Sequence, residues 1–202
     1  MKVAIIKYNA GNIYSVFCAC QRLGAEAVIT DDPEEIRTAD RVVFPGVGEA
    51  RAAMDYLREH GLDLLIRSLK QPVLGICIGM QLMCSESEEG AVDGCNTQCL
   101  GIFDVPVQRF HPDDANLKVP QMGWNQVAPT VDTPLFKGIT AEDYVYYVHS
   151  YRVPLTAYTI ATTEYGEVYS AALHKDNFWA TQFHPEKSGS IGELILKNFI
   201  FN

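Results

Sequence analysis

Cys77 is the side chain of this sequence best placed for nucleophilic chemistry. It stands at the centre of Gly75-Ile76-Cys77-Ile78-Gly79, where a short apolar run meets the start of a predicted helix. A nucleophile on a sharp strand-to-helix turn brings the residues two positions away against other backbone, so glycine at both positions avoids a clash. The amides and dipole of a helix N-terminus favour a thiolate. The pattern predicts a nucleophile elbow, since a buried structural cysteine would not require the paired glycines.

The base for this nucleophile is predicted at His184. A cysteine nucleophile needs an imidazole that takes and returns a proton, and the imidazole needs a partner that fixes its tautomer. In His184-Pro185-Glu186 the proline favours extended geometry for the histidine, and residues two apart in an extended segment project from the same side. Cys77, His184 and Glu186 are therefore the favoured catalytic residues.

The other histidines offer weaker alternatives. His111-Pro112-Asp113 copies the same pattern and stays open as the rival, although the polar stretch 113–116 after it is typical of an exposed loop. His149 ends an apolar run and can line a site, but it has no adjacent carboxylate. His60 stands at a predicted helix end and His174 beside a hairpin turn, where capping and solvent contact are the expected roles.

A tetrahedral intermediate also needs two donors for its oxyanion. In an elbow one donor is the amide of the residue after the nucleophile, here Ile78, and the other comes from a loop after a neighbouring strand. Pro45-Gly46-Val47-Gly48 follows such a strand, and Val47 is the best-placed donor in it. A dinucleotide-binding interpretation of this loop is weaker, because Arg51 stands where the third glycine of that fingerprint belongs.

Composition limits the remaining classes. The 202 residues predict a single domain, 1–202, and 48% hydrophobic with 20% charged residues is typical of globular proteins. No apolar run is long enough to span a bilayer, and no secretory signal precedes the first predicted strand. The net charge of -9 argues against nucleic-acid and anionic-membrane partners. We expect a cytoplasmic protein whose six cysteines are reduced.

The cysteines do not predict a metal site. Cys18 and Cys20 are two apart on a predicted helix, so they point to different faces. Cys95 and Cys99 lie in a polar stretch interpreted as a loop, without a second pair at zinc-ribbon spacing. We therefore expect neither a metal nor a cofactor.

The elements around these residues predict an α/β fold with a mostly parallel sheet and an antiparallel extension. In the first half, strands over 2–8, 25–30, 41–44 and 73–76 alternate with helices over 13–23 and 49–60. In the second half, strands over 144–148, 160–163, 168–173 and 178–183 follow one another with little helix. A final helix is expected to begin near Ser190, with Ser190 and Glu193 as a capping box.

The elbow motif together with Gln182-Phe183-His184-Pro185-Glu186 resembles the class I, triad-type glutamine amidotransferases. Further stretches resemble, within that family, the glutaminase subunits of imidazole glycerol phosphate synthase. They are Asn9-Ala10-Gly11-Asn12, Pro45-Gly46-Val47-Gly48, Met122-Gly123-Trp124-Asn125, Val148-His149-Ser150-Tyr151 and His184-Pro185-Glu186-Lys187-Ser188. The resemblance runs from the first strand to the last helix and implies a flavodoxin-like, three-layer fold.

The resemblance also implies a role for individual residues. Cys77 is the nucleophile, His184 the general base and then acid, and Glu186 its orienting carboxylate. Val47 and Ile78 supply the oxyanion amides. The implied glutamine site comprises Gly46, Gly48, Gln81, Glu89, His149, Ser150 and Tyr151, and the implied partner interface comprises Asn12, Trp124 and Lys187.

The implied activity is hydrolysis of L-glutamine to glutamate and ammonia. The ammonia passes to a separate cyclase subunit, a (β/α)₈ barrel, which makes imidazole glycerol phosphate and aminoimidazole carboxamide ribonucleotide in histidine biosynthesis. One alternative is an amidotransferase subunit for anthranilate, aminodeoxychorismate or guanylate synthesis, which the catalytic residues alone do not separate. A catalytically silent binding protein on the same fold is a second, and a stand-alone γ-glutamyl hydrolase or cysteine peptidase a third.

The sequence departs from the family pattern at two positions. Gln121 stands where the family usually has histidine before Met-Gly-Trp-Asn, and Ala10 occupies a variable place in the first glycine-rich turn. Both departures bear on the shape of the implied interface.

Overall fold

The structure, a computed structural model, describes residues 1–8, 11–112 and 117–202, in which strands and helices alternate through the first half. The strands are β1 (Lys2–Ile6), β2 (Glu26–Thr30), β3 (Arg41–Phe44), β4 (Val73–Ile76), β5 (Glu86–Val92), β6 (Cys95–Gln98), β7 (Pro106–Arg109), β8 (Gln121–Gln126), β9 (Ala128–Pro129), β10 (Tyr144–His149), β11 (Tyr151–Arg152), β12 (Thr159–Glu164), β13 (Val168–Lys175) and β14 (Phe178–Thr181). The helices are α1 (Ile13–Arg22), α2 (Pro33–Thr38), α3 (Ala50–Glu59), α4 (Leu62–Ser68), α5 (Ile78–Leu82) and α6 (Gly189–Phe201). Single 3₁₀ turns cover Pro134–Phe136 and Pro185–Lys187.

One large sheet organises the molecule, in the order β2-β1-β3-β4-β14-β13-β12-β9. The pairs from β2 to β14 are parallel, and those from β14 to β9 are antiparallel. Two smaller sheets, β10-β8 and β11-β7-β5-β6, lie beside it. The predicted parallel sheet with an antiparallel extension is confirmed.

Helices cover both faces of the large sheet. Alternation along β1 shows the two faces, since Val3 and Ile5 pack in the core that holds α1 and α6, while Ala4 and Ile6 pack in the core that holds α2 to α5. This is the three-layer arrangement that buried parallel strands require, because both of their faces are apolar. None of the helices in the described ranges is long and apolar enough to cross a membrane.

The start of the last helix differs from its prediction. The helix begins at Gly189, and the 3₁₀ turn over Pro185–Lys187 leads directly into it. Ser188 is its N-cap residue, while Glu193 pairs with Arg22 at 3.0 Å, so the expected capping box is not formed. The Ser188 hydroxyl instead donates to the carbonyl oxygen of His184 at 2.6 Å and accepts from the amide of Tyr146 at 2.9 Å. These two hydrogen bonds connect the start of α6 to His184 and to β10.

The polar stretch of Cys95, interpreted as a loop, is part of a hairpin. β5 and β6 pair antiparallel, and Cys95 begins β6. The turn between them uses left-handed backbone at Asp93 and Gly94, with φ of 52° and 77°. Acidic residues on β5 concealed its strand pattern, and the hairpin places Glu89 near the elbow.

Candidate active site

Cys77 sits on a strained turn between β4 and α5. Its φ of 54° and ψ of -107° place a non-glycine residue in left-handed backbone, and its side chain is almost buried at 6% exposure. A Cβ on Gly79 would lie 1.9 Å from the carbonyl oxygen of Phe44, and one on Gly75 would lie 2.9 Å from the carbonyl carbon of Gly79. The close backbone approach predicted for both glycines is therefore present.

The sheet register brings the predicted base to this turn. β14 runs parallel beside β4 with Thr181 opposite Ile76, and the amide of Cys77 donates to the carbonyl oxygen of Thr181 at 2.8 Å. His184 follows three residues later, and its amide donates to the carbonyl oxygen of Tyr146 on β10 at 2.9 Å. Parallel strands end at the same edge of a sheet, so the nucleophile and the base meet there.

His184 and Glu186 form a buried pair. Nδ1 of His184 lies 2.8 Å from Oε1 of Glu186, and both side chains have no exposed surface. The predicted contact is present, but its geometry differs, because Pro185–Lys187 is a 3₁₀ turn rather than an extended segment. With Nδ1 committed to the carboxylate, Nε2 is the ring nitrogen left for proton exchange with Cys77.

The charge state of His184 follows from these neighbours. Burial lowers the pKa of its imidazole, but the charge and contact of a Cys77 thiolate and the bond to Glu186 outweigh burial and raise that pKa to about 10. His184 is therefore protonated at neutral pH when Cys77 is a thiolate. Such an imidazolium–thiolate pair is the resting form of an activated cysteine nucleophile.

Asn12 lies against this pair. It is 5% exposed, and its Nδ2 donates to Oε1 of Glu186 at 2.9 Å and lies 3.5 Å from Nδ1 of His184. The N-terminus of α1 is thus in contact with the predicted orienting carboxylate. The implied place of Asn12 at a partner interface stays a prediction, and the structure adds this contact to it.

For the glutamine hydrolysis that the resemblance implies, an Asn12→Ala variant is expected to lower the rate by about tenfold while ammonium-dependent synthesis by the implied cyclase stays unchanged. Removing the amide leaves Glu186 with one hydrogen bond fewer and frees its position beside His184. Steady-state glutamate release measures the effect. Asn96→Ala is the matched control, because Nδ2 of Asn96 donates to Oε1 of Glu86 at 2.9 Å in the hairpin away from the triad. An equal loss in both variants would contradict the role of Asn12.

A pocket of about 220 Å³ opens over the elbow. It gathers residues from the loop after β3, the elbow, β5 and the end of β10. Its lining comprises Val47, Gly48, Cys77, Ile78, Gln81, Glu89, Val148, His149, Ser150 and Tyr151. The residues implied for the glutamine site and the oxyanion hole therefore meet in one place, except that Gly46 is not part of the lining.

Gly46 instead allows the oxyanion loop to pack tightly. A Cβ at this position would lie 1.9 Å from the hydroxyl oxygen of Tyr8 and 2.2 Å from Cγ2 of Ile78. The Tyr8 hydroxyl donates to the carbonyl oxygen of Pro45 at 2.7 Å, and burial raises the pKa of this phenol. Tyr8 therefore fixes the loop that carries Val47, a contact that the sequence pattern did not reveal.

Two polar residues of the pocket wall are partly committed to the protein. Nε2 of Gln81 donates to the carbonyl oxygen of Tyr151 at 2.9 Å. Oε2 of Glu89 accepts from the amide of Ala50 at 2.8 Å, and burial raises the pKa of its carboxyl despite that bond. Glu89 is the acidic group of the lining, so it is the residue suited to the amino group of an amino acid.

His149 is a neutral part of the wall. Its Nδ1 donates to the carbonyl oxygen of Tyr151 at 2.7 Å, and burial lowers the pKa of its imidazole to about 4. Its Nε2 lies 3.3 Å from the hydroxyl of Tyr169, and that hydroxyl lies 2.9 Å from Oε1 of Gln121. Gln121, at the position where the family usually has histidine, is therefore a buried member of this polar chain.

The other two residues predicted at the partner interface are exposed. Trp124 is 57% exposed on β8 and packs edge-on against Tyr146, and Lys187 is exposed beside the catalytic turn. A groove of about 690 Å³ runs along Trp124 and the neighbouring residues of β8 and β12. Both predicted interface side chains are thus available to a partner.

The contacts of the other histidines can be compared over the described residues. His60 caps α3 with Nδ1 2.9 Å from the carbonyl oxygen of Tyr56, and His174 stacks on Trp179. His111 is exposed, while its predicted partner Asp113 lies outside the described residues, as does Ala10. Within the part of the chain that the structure describes, no three His, Cys, Asp or Glu side chains are grouped to hold a metal ion.

Comparisons with known proteins give the family. The model of the class-I glutamine amidotransferase family matches residues 5–202. The chain is 60% identical over 200 residues to the imidazole glycerol phosphate synthase subunit HisH of Bacteroides fragilis, with 99% of both chains covered. It is 48% identical over 201 residues to the subunit of the same name from Photorhabdus laumondii, again with 99% of both covered.

Solved structures show the same fold. A glutamine amidotransferase crystal structure matches with a TM-score of 0.72 at 18% identity, covering 98% of this chain and 96% of the other. PurLQS from Thermotoga maritima matches with a TM-score of 0.71 at 13% identity, covering 98% and 97%. With the triad and its pocket in place, the chain belongs to the class-I glutamine amidotransferases and, among them, to the HisH subunits of imidazole glycerol phosphate synthase.

Proposed function

We propose that this chain hydrolyses L-glutamine with Cys77 as nucleophile. The Cys77 thiolate attacks the side-chain amide carbon, and a bond forms from Sγ to that carbon. The resulting oxyanion is held by the amides of Val47 and Ile78. The protonated imidazole of His184 then gives its proton to the amide nitrogen, the carbon–nitrogen bond breaks, and ammonia leaves.

The second half of the cycle regenerates the thiolate. His184, now neutral, takes a proton from a water molecule that attacks the glutamyl thioester. The carbon–sulfur bond breaks, glutamate leaves, and the imidazolium–thiolate pair is restored. Glu186 keeps the imidazole in the tautomer that this exchange needs.

One observation carries the proposal, namely that the buried His184–Glu186 pair lies directly behind a cysteine that opens into the pocket. The polar groups of that pocket suit an α-amino acid, since Glu89 offers a carboxylate for its amino group and Gln81 and Ser150 offer hydrogen bonds. A silent binding protein would not require the charged pair beside Cys77.

The ammonia acceptor is proposed to be a cyclase subunit, so that the chain acts in histidine biosynthesis as half of a heterodimer. HisH relatives at 48–60% identity over the whole chain support this choice over anthranilate, aminodeoxychorismate or guanylate synthesis. Exposed Trp124 on β8 and exposed Lys187 at the end of the 3₁₀ turn are the proposed contacts with it. We further propose that residues 1–202 act as one domain and that the protein is cytoplasmic, where Cys77 stays reduced.

Titration with the cyclase tests the assignment. Glutamate release by the isolated chain is expected to be weak and to rise sharply when the cyclase and its nucleotide ligand are added. The same titration with an anthranilate synthase or GMP synthase acceptor subunit is the control and should leave the rate unchanged. Equal glutamate release with and without the cyclase, or activation by another acceptor, would contradict the proposed partner.

The raised pKa of His184 predicts the pH dependence of the reaction. The pKa of about 10 keeps the imidazole protonated through neutral pH, and the proton is lost only as pH rises through that value. We expect kcat/KM for glutamine to fall on the alkaline side near this pH. A Glu186→Gln variant removes a charge that raises the pKa of His184, so its alkaline limb should move to lower pH.

The pH profile is measured as glutamate release by the complex. Ammonium-dependent synthesis at each pH serves as the control for the cyclase. An alkaline limb that is unmoved in Glu186→Gln would show that His184 is not the group responsible.

A further inference from the structure

Two buried glutamine side chains connect the pocket wall with the nucleophile. Gln81 on α5 is 3% exposed and Gln182, just after β14, has no exposed surface. Nε2 of Gln81 lies 3.0 Å from Oε1 of Gln182, and Nε2 of Gln182 lies 3.7 Å from Sγ of Cys77. None of the catalytic roles described above uses Gln182, although its amide touches the reacting sulfur.

A backbone carbonyl fixes which atoms of Gln81 and Gln182 donate and which accept hydrogen bonds. The carbonyl oxygen of Tyr151 can only accept, so the atom of Gln81 that lies 2.9 Å from it is the amide nitrogen. The same nitrogen donates its second hydrogen to Gln182, so the facing atom of Gln182 is its oxygen. The amide nitrogen of Gln182 must therefore point at Cys77.

The sheet register places Gln182 beside the nucleophile. Thr181 pairs with Ile76, so the next residues along the two parallel strands, Gln182 and Cys77, are neighbours at the edge of the sheet. The amide of Gln182 donates to the carbonyl oxygen of Ala171 at 2.8 Å, which holds its backbone on β13. Its side chain therefore has little freedom to turn away from Sγ.

The hydrogen bonds that Sγ can make differ between the thiol and the thiolate of Cys77. As a thiol, Cys77 can donate to the carbonyl oxygen of Val148 at 3.8 Å. As a thiolate it only accepts, and the amide of Gln182 and the imidazolium of His184 are the donors beside it. A hydrogen bond to a charged form favours that form.

We propose that Gln182, oriented by Gln81, donates a hydrogen bond to the Cys77 thiolate and holds Sγ for attack on the substrate carbonyl. The inference rests on the proposed function, in which Cys77 is the nucleophile. It makes the position of the thiolate depend on Gln81, which also lines the glutamine pocket. The pocket wall and the nucleophile are then parts of one hydrogen-bonded unit.

The other titratable groups around Cys77 do not replace this donor. Burial raises the pKa of the phenols of Tyr8 and Tyr169, so both stay neutral across the accessible pH range. The Tyr8 hydroxyl donates to Pro45, and the Tyr169 hydroxyl is hydrogen-bonded to Gln121. His184 is the remaining partner of the thiolate.

Gln182→Leu and Gln182→Glu both remove the N–H donor to sulfur, and Gln182→Glu keeps the size of the side chain but adds a charge. In the full chain we expect the pH midpoint of the Cys77 thiolate absorbance, taken as the difference from Cys77→Ala, to rise. Alkylation of Cys77 by iodoacetamide at neutral pH should slow by about tenfold or more. Gln182→Leu, which loses the donor without adding a charge, should fall between wild type and Gln182→Glu.

Asn198→Leu is the control for the loss of a buried amide. Nδ2 of Asn198 donates to the carbonyl oxygens of Leu135 and Lys137 far along α6, so this variant can lose stability but should keep the midpoint and alkylation rate of wild type. A wild-type midpoint and rate in folded Gln182→Leu would overturn the inference, because the added charge of Gln182→Glu can raise the midpoint by itself. Failure of wild type itself to release glutamate with the cyclase, or to be alkylated at Cys77, would instead overturn the proposed function.

Discussion

A Cys77→Ala variant bound to the cyclase will lose glutamine-dependent synthesis by about 10⁴-fold or more, while synthesis from added ammonium continues. The loss is large because the thioester cannot form without sulfur, and because the nucleophile and its base act as a unit. Ammonium bypasses this chain and enters the reaction at the cyclase. Product formation from the two nitrogen sources, measured in parallel on one preparation, gives the ratio directly.

Cys84→Ala is the matched control for this prediction. Cys84 is fully buried near the other end of α5, and its thiol contacts the carbonyl oxygen of Met80 at 3.5 Å. The Cys84→Ala change removes a sulfur atom from the same part of the fold but leaves Cys77, His184 and Glu186 in place, so glutamine-dependent synthesis should persist. Loss of both nitrogen sources in Cys77→Ala would show that the change disturbs assembly and would contradict the division of labour between the subunits.

The elements nearest the nucleophile were predictable because their signals are local. β3 and β4 have the predicted bounds, since short apolar runs with β-branched residues next to a proline, Pro45 after β3 and Pro72 before β4, are typical of buried parallel strands. Gly75 and Gly79 on either side of Cys77 likewise indicate that the backbone of the turn lies close to other backbone. The position of the predicted nucleophile could therefore be inferred from the sequence alone.

The contact between His184 and Glu186 was predicted for an incomplete reason. Their spacing suggested one side of an extended segment, whereas a 3₁₀ turn brings them together. Proline permits both conformations, and the bonds from Ser188 to the carbonyl of His184 and from the amide of Tyr146 to Ser188 select the turn. Such long-range bonds are not visible in a local pattern.

The roles of Asn12, Gln182 and Tyr8 were out of reach for the same reason. Each makes its decisive contact with a residue more than thirty positions away, with Asn12 and Glu186 separated by 174 positions. Asn12 and Gln182 stand in stretches that resemble the family, but those stretches do not reveal which side chains they contact. The resemblance implied Glu89, but the strand that carries it was missed, because an acidic strand such as β5 has the composition of a solvated loop.

A Gly79→Ala variant will lose at least about 3 kcal/mol of unfolding free energy, even though alanine is the better helix former. The added Cβ would lie 1.9 Å from the carbonyl oxygen of Phe44 and 3.0 Å from its carbonyl carbon. Both atoms belong to β3, which pairs with β4 in the centre of the sheet, so neither can move without breaking the ladder. Urea unfolding followed by circular dichroism measures the loss.

Gly94→Ala separates this clash from the loss of a glycine as such. Gly94 has a φ of +77° and nothing within 4 Å of an added Cβ, so only left-handed strain opposes alanine there, at about 1 kcal/mol. If Gly79→Ala were as stable as wild type, the helix propensity of alanine would outweigh the packing clash at the elbow. In that case, the close approach of α5 to β3 would not be the contact that holds Cys77 in its strained conformation. A loss well beyond that of Gly94→Ala places the origin of that strain in the backbone contact between α5 and β3.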